Sequence, residues 1–551
     1  MASRQRKQTH LFTIIFIFGF TSAAHAKRGA SGPSGELPTT VTADPAKGTA
    51  DSALGLNATT PHPEIHTTIP EPVTPVNHTR EVCYEHVGCF NNIPPYDNAF
   101  YDLPVSPEQI GIEIFLYTRE WPLHNETVPV IYHDLESLRK SHFNQSRPTK
   151  FVIHGFNNNK NTKWLHVMKN ELLKNADMNV FLVCWGNGSA GLDFNQAVAN
   201  TRVVAAQLRL LILNMNQLGA RMEDIHMIGH SLGAHTSGVV GHRLQTESNL
   251  TIGRISGLDP AEPAYEFHHE MIRLDQGDAA YVDVIHTNGA PFIPNGGAGL
   301  FQPCGHVDFY VNGGKSQPDC PSLFSGITSF FSFKNDSKES ALDSVACSHS
   351  RAHGVFTESI NSLDCQFLGY PCPGGYTDFQ TGKCLDCGQE GCSIMGYSAD
   401  IWHSSGSMYL NTRTSVPFCG HHYYVEVHMS SHTLNTKGRV EVKLEGTWGT
   451  SEWMEVSDSE STDLKQGSMV SRVVVAGQIV GRIKAASVRY TKYGGALFGW
   501  GAGLNNLRVY KVVVVSGENN EREWFCARLN VINTGESARF LSNAADVCVD
   551  A

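Results

Sequence analysis

Apolar residues fall along this chain in two rhythms. From Thr149 to His286, short unbroken apolar runs recur: Phe151-Val152-Ile153, Val180 to Trp185, Ile225 to Ile228, Ile255 to Leu258 and Val282 to Ile285. A strand buried on both faces reads this way, because both alternating sets of side chains meet apolar neighbours. Between two of these runs, Asn195 to Asn214 carries Val203, Val204, Leu208, Leu211 and Ile212 as one stripe at helical spacing. Strands separated by helices predict a mostly parallel sheet with flanking helices on both faces. The rhythm changes after about Phe418. Tyr423 to Met429, Arg439 to Leu444 and Arg508 to Val515 alternate as strands do, and no strand–helix alternation remains. That predicts a second domain, an all-β sandwich.

The N-terminal stretch follows neither rhythm. Arg4, Arg6 and Lys7 precede an apolar run from Leu11 to Phe20, and Ala24-His25-Ala26 offers a small-x-small cleavage site. This is the pattern of a signal peptide over 1–26, since the run is well short of the ~20 residues that span a bilayer. Residues 27–80 are rich in Pro, Thr, Ser, Gly and Ala, and too poor in large apolar residues to offset the entropy of ordering, which predicts disorder. Order is expected over 81–417 and 418–551. The 14 cysteines, together with N-x-S/T acceptors at Asn57, Asn77, Asn125, Asn144, Asn187, Asn249 and Asn335, agree with a secreted, glycosylated protein in an oxidising compartment. A net charge of −11 argues against nucleic acid as a partner.

Candidate chemistry enters at Gly229-His230-Ser231-Leu232-Gly233, which follows a predicted strand and precedes a predicted helix at Ala234 to His242. A sharp strand-to-helix turn needs small residues two before and two after a nucleophile, and it lifts the serine hydroxyl clear of the sheet, as in the α/β-hydrolase fold. A serine hydroxyl needs a histidine base, and the histidine needs a carboxylate to fix its tautomer. In this fold the order is serine, acid, histidine. Asp259 ends the strand Ile255 to Leu258, but by spacing alone Asp275, Asp278 and Asp283 compete with it, and so do His286, His306, His349 and His353 for the base.

Three blocks resemble the catalytic segments of the pancreatic lipase family: Gly229 to His235, Gly257-Leu258-Asp259-Pro260-Ala261-Glu262-Pro263, and Ala346-Cys347-Ser348-His349-Ser350-Arg351. Cys83-Tyr84-Glu85 with Gly88-Cys89-Phe90 is similar to that family's N-terminus, so the resemblance runs from about Glu81 to the C-terminus. It implies Ser231 as nucleophile, Asp259 as acid, His349 as base, and backbone N–H groups of Phe156 and Leu232 as the oxyanion hole. It also implies a structural Ca²⁺ held by carbonyls of Glu270 and Arg273 and carboxylates of Asp275 and Asp278. Leu323, Phe324, Ile327, Phe330 and Phe331 lie between Cys320 and Cys347 at the spacing of an apolar helix face, where the family carries its lid.

The resemblance implies further bridges at Cys372–Cys384 and Cys387–Cys392. Cys83 with Cys89, Cys320 with Cys347, and Cys526 with Cys548 complete five expected pairs. Cys184, Cys304, Cys365 and Cys419 depart from the family pattern, with room for two more bridges of unassigned pairing; Cys184 stands where the family has aspartate. The second domain resembles the lipoxygenase-type sandwich (PLAT), with Trp448, Trp453, Phe498 and Trp500 as candidate lipid-facing or core aromatics. The family's C-terminal domain docks colipase, so a colipase-like partner is a further expectation. The reading that follows is a serine lipase acting on triacylglycerol at a lipid–water interface. Phospholipase A1 or galactolipase activity is the alternative among enzymes, and a non-catalytic lipid-binding protein the alternative outside them.

Overall fold

A computed structural model describes residues 80–551 except 123–127, 192, 291–296, 321–336, 389–390, 496–500, 527–530, 543–547, 549 and 551, with backbone alone over 337–345. The expected signal peptide, the Pro/Thr-rich stretch, all five lid positions, Asn57, Asn77, Asn125, Asn335, Phe498 and Trp500 lie outside the described residues.

The described residues open with a hairpin, β1 (Glu81–Tyr84) against β2 (Gly88–Asn91), tied by the Cys83–Cys89 disulfide. Then come β3 (Glu113–Tyr117), β4 (Thr149–Ile153), β5 (Asn179–Cys184), β6 (Ile225–His230), β7 (Arg254–Leu258), β8 (Tyr281–His286), β9 (Val307–Val311), β10 (Leu368–Pro371), β11 (Ser393–Ile394) and β12 (Gly406–Leu410). They form one sheet in the order β11-β10-β12-β9-β8-β7-β6-β4-β5-β3. The strands from β12 through β5 are parallel; β3 at one edge and β10 near the other run antiparallel to their neighbours. The sheet is therefore mixed at its margins.

Four helices matter for the site: α1 (Lys163–Asn175), α2 (Phe194–Gln217), α3 (Leu232–Ser248) and α4 (Ser337–Ser359). Phe151 and Ile153 of β4 pack with Val203, Leu208 and Leu211 of α2 and Val240 of α3 on one face. Val152 packs with Leu165 and Met168 of α1 and Val355 and Phe356 of α4 on the other. Two apolar layers on one strand explain why the central runs are apolar without alternation. Within this core, Arg254 donates to Asp283 at 2.7 Å, with both side chains buried.

From β13 (His421–Met429) onward every strand pairing among the described residues is antiparallel, around a core of Val425, Val427, Val440, Val442, Val488, Val512, Val514 and Phe525. This β-rich region has the form expected of a sandwich. It meets the α/β region through Tyr370, whose hydroxyl donates to the Gly517 carbonyl at 3.0 Å, and through Asn411, whose amide donates to the Val473 carbonyl at 3.0 Å. Trp448 is 77% exposed, whereas Trp453 lies under the Arg489 guanidinium at 4.5 Å.

Six disulfides form. Besides Cys83–Cys89 they are Cys320–Cys347, Cys372–Cys384, Cys387–Cys392, Cys526–Cys548 and Cys365–Cys419. The four cysteines outside the family pattern thus make one bridge rather than two. Cys184 and Cys304 are free and buried, and burial pushes the Cys184 thiol up to about 12, so it stays neutral at the end of β5. Among the described residues no helix is long and apolar enough to cross a membrane. A bridge count of this size suits an oxidising, extracellular setting.

Candidate active site

Three neighbouring parallel strands end at the residues singled out above. β4 ends just before His154-Gly155-Phe156, β6 just before Ser231, and β7 just before Asp259. They share the carboxyl edge of the sheet, where α/β folds place their ligand crevices.

Ser231 is the junction of β6 and α3, with φ 58° and ψ −122°. That conformation is strained for a residue with a Cβ. Its N–H donates to the Leu258 carbonyl at 3.1 Å, which anchors the turn to the neighbouring strand. Close approach explains the flanking glycines. A Cβ on Gly229 would lie 2.3 Å from the Gly233 carbonyl oxygen, and one on Gly233 would lie 2.3 Å from that of Ile153. Leu232 opens α3, so its N–H has no acceptor within the helix.

Asp259 also has a positive φ, 45°, and is fully buried. A buried carboxylate requires donors, and it has three. Its Oδ1 accepts from the N–H groups of Thr287 at 2.7 Å and Asn288 at 3.0 Å. Its Oδ2 lies 2.6 Å from Nδ1 of His349, contributed by α4 from 90 residues farther along the chain. This contact places the imidazole proton on Nδ1 and leaves Nε2 as an acceptor.

The other contenders are engaged elsewhere. Asp283 holds Arg254, and Asp275 and Asp278 sit in a loop beside α3. His286 contacts Asp308 at 2.8 Å, His306 accepts from the Val282 N–H at 3.0 Å, and His353 stacks on Trp164 at 4.6 Å.

The segment before Phe156 holds a histidine whose two ring nitrogens are both engaged. His154 is buried, and its Nε2 accepts from the Trp185 N–H at 3.1 Å. The proton is therefore on Nδ1, which donates to the Gly155 carbonyl at 2.9 Å. That carbonyl belongs to the same planar peptide as the Phe156 N–H, so fixing one aims the other. Among the described residues no hydrogen bond occupies the Phe156 N–H. A histidine directly before Gly-Phe at a strand end was the available signal.

Glu270, Arg273, Asp275 and Asp278 fall in two short turns packed on α3. Asp278 is buried, and its Oδ2 accepts from the Asp275 N–H at 2.8 Å. Burial raises the Asp278 carboxyl well above the usual range, and the nearby Asp275 charge adds to this. A desolvated carboxylate beside a second carboxylate is a donor set that fits a hard cation. Of the described glycosylation acceptors, Asn187 and Asn249 are exposed and Asn144 is half-buried. The Cys320–Cys347 bridge, which brackets the expected lid positions, ends two residues before His349.

The family model for lipases matches residues 80–418. The chain belongs to the Lipase family. It is similar to pancreatic lipase-related protein 2 of Myocastor coypus, at 36% identity over 81% of this chain and 93% of the relative. It is 37% identical to pancreatic triacylglycerol lipase of Equus caballus, over 68% of this chain and 80% of that one. The human pancreatic lipase-related protein 2 is 34% identical over 81% of this chain and 93% of its own length. The lipase is thus a carboxylic ester hydrolase of α/β-hydrolase fold.

Several histidines near this edge and at the β-rich junction are held neutral by burial. His154 is pushed down to about 4, His353 to about 3 and His422 to about 4. Their folded values lie below the unfolded value of about 6.5, so stability is fully present above pH 6.5 and is lost as pH falls toward 4. Each unit of depression is worth about 1.4 kcal/mol. Thermal unfolding of this lipase should therefore shift to lower temperature steeply between pH 6.5 and 4, and His422→Gln should flatten that slope.

Proposed function

We propose that this protein is a secreted triacylglycerol lipase whose nucleophile is Ser231, with His349 as base and Asp259 as the acid that orients it. The observation that carries this reading is the 2.6 Å contact between His349 and the buried Asp259, at the strand edge where the strained turn presents Ser231. The triacylglycerol specificity is supported by the relatives that bear that name.

In the proposed reaction His349 Nε2 takes the proton from the Ser231 hydroxyl as its oxygen attacks the ester carbonyl. Asp259 stabilises the imidazolium. The oxyanion forms against the N–H groups of Phe156 and Leu232, the first of them aimed by His154. One such donor is worth about 3–4 kcal/mol in the transition state. His349 then protonates the departing alcohol, and water, activated in the same way, releases the fatty acid and restores Ser231.

Calcium fits the 270–278 loop. Glu270 and Arg273 through carbonyls, and Asp275 and Asp278 through carboxylates, would hold it. Once bound, it supplies charge neutralisation for the buried Asp278 and the half-buried Asp275, and so a structural anchor for the loop. The β-rich region is proposed to be a lipoxygenase-type sandwich that brings the exposed Trp448 to the lipid surface. A colipase-like partner on that region is part of the same reading.

Fatty-acid release from emulsified triolein and from phosphatidylcholine vesicles tests the reading. Release from triolein should fall by about 10⁶-fold in Ser231→Ala. Release from phosphatidylcholine alone would move the substrate to phospholipid and keep the mechanism. No release from either, with colipase present, would remove the enzymatic reading. A second measurement addresses the cation. Chelation with EGTA should lower the unfolding temperature, and calcium should restore it in the wild type but not in Asp278→Asn. Because Asp278 binds a proton readily, the calcium-dependent shift should shrink as pH falls.

A further inference from the structure

The helix that opens at Ser231 also holds two loops together. His235 lies one turn into α3 and is fully buried. Its Nδ1 accepts from the Leu274 N–H at 3.1 Å, and its Nε2 lies 2.8 Å from the Ala261 carbonyl. A backbone N–H only donates, so Nδ1 is bare and Nε2–H donates to Ala261. One imidazole thus joins the turn that carries Asp259 to the 270–278 loop. The ring is clamped by stacking on Tyr265 at 3.8 Å.

The next turns of the helix make the same contact closer. A Cβ on Gly238 would lie 2.7 Å from both the Leu274 Cα and the Asp278 Oδ2, and one on Gly241 would lie 2.0 Å from the Asp278 carbonyl oxygen. The loop therefore rests directly on the helix that begins at Ser231. On its other side the acid-bearing turn is held by backbone alone, through Leu300 N–H to the Pro260 carbonyl at 2.6 Å and a bridge between Ala261 and Gly299.

We propose that His235 is a positioning residue that makes the placement of Asp259 depend on the order of the 270–278 loop. The inference rests on the reading of Asp259 as the triad acid and of that loop as a calcium site. Ala261 is two residues from Asp259, whose positive φ leaves the turn no relaxed alternative nearby. Rotation of one peptide there moves the carboxylate relative to His349, and a misplacement of about 1 Å in such a site lowers turnover on the order of 10²-fold. Coupling between two sites is reciprocal. Ordering the loop steadies the acid, and a steadied acid turn raises the affinity of the loop for its cation.

Two substitutions separate positioning from packing. His235→Phe keeps a ring for the Tyr265 stack and removes both hydrogen bonds. His235→Gln removes the ring and keeps one acceptor and one donor. The measurements are kcat and KM on the soluble ester p-nitrophenyl butyrate, and calcium affinity of the full chain by isothermal titration calorimetry. His235→Phe should lose about 10²-fold in kcat with KM little changed, and about tenfold in calcium affinity. His235→Gln should recover most of both. Wild-type kcat in His235→Phe, equal losses in the two variants, or a fall in kcat with unchanged calcium affinity would each overturn the proposal. If His235→Phe does not fold, His235→Gln decides, since joint loss of turnover and calcium affinity in it contradicts the bridging role. Wild-type protein that hydrolyses the ester without binding calcium removes the calcium reading and this inference together. An inactive wild type removes the triad reading itself.

Discussion

A carboxylate withdrawn from water tolerates its position only when its oxygens are answered by donors. Asp259 has no exposure, and it is answered by the N–H groups of Thr287 and Asn288 and by the ring of His349. Two donors come from the segment that follows β8 and the third from α4, so the site assembles only when β7, β8 and that helix are all in place. The central β4-β6-β7-β8 ladder supplies this registration, and the rest of the candidate site is built outward from it.

The two functional turns store strain that packing must offset. Ser231 and Asp259 both adopt positive φ, each at an expense of order 1–3 kcal/mol. They end adjacent strands that are buried on both faces, by α2 and α3 on one side and α1 and α4 on the other. A sheet edge on loops alone would relax these turns. Three buried histidines then serve the edge as neutral bridges rather than as bases: His154 aims the Gly155–Phe156 peptide, His235 spans two loops, and the Nε2 of His230 lies 3.1 Å from the His349 carbonyl.

The centre of the fold was legible because residues buried on both faces leave unbroken apolar runs, and Val180 to Cys184 or Ile225 to Ile228 have no other simple reading. The margins were not. Leu368–Pro371 and Ser393–Ile394 are too short to carry a rhythm, and Glu113–Tyr117 stands apart from the strand–helix alternation that marked the others. At the site, Ser231 was legible from its glycines and its place between strand and helix. Its partners were legible only through the family resemblance of the 257–263 and 346–351 blocks, because spacing treats Asp259 and Asp283, or His349 and His353, as equals. The fold separates them physically, by giving Asp283 to Arg254 and His353 to Trp164. His154 and His235 escaped notice for the same reason, since a bridging role depends on what lies at both ring nitrogens. The Cys365–Cys419 bridge, across 54 residues, likewise needed the fold.

The central claim is that Ser231 is made nucleophilic by His349, which Asp259 holds. The most direct measurement is covalent labelling by an organophosphate such as paraoxon, followed by peptide mass mapping of the wild type and of His349→Ala. The account expects one adduct, on Ser231, formed rapidly in the wild type and almost lost in His349→Ala. Labelling of another serine, or labelling of Ser231 at the same rate without the histidine, would contradict it.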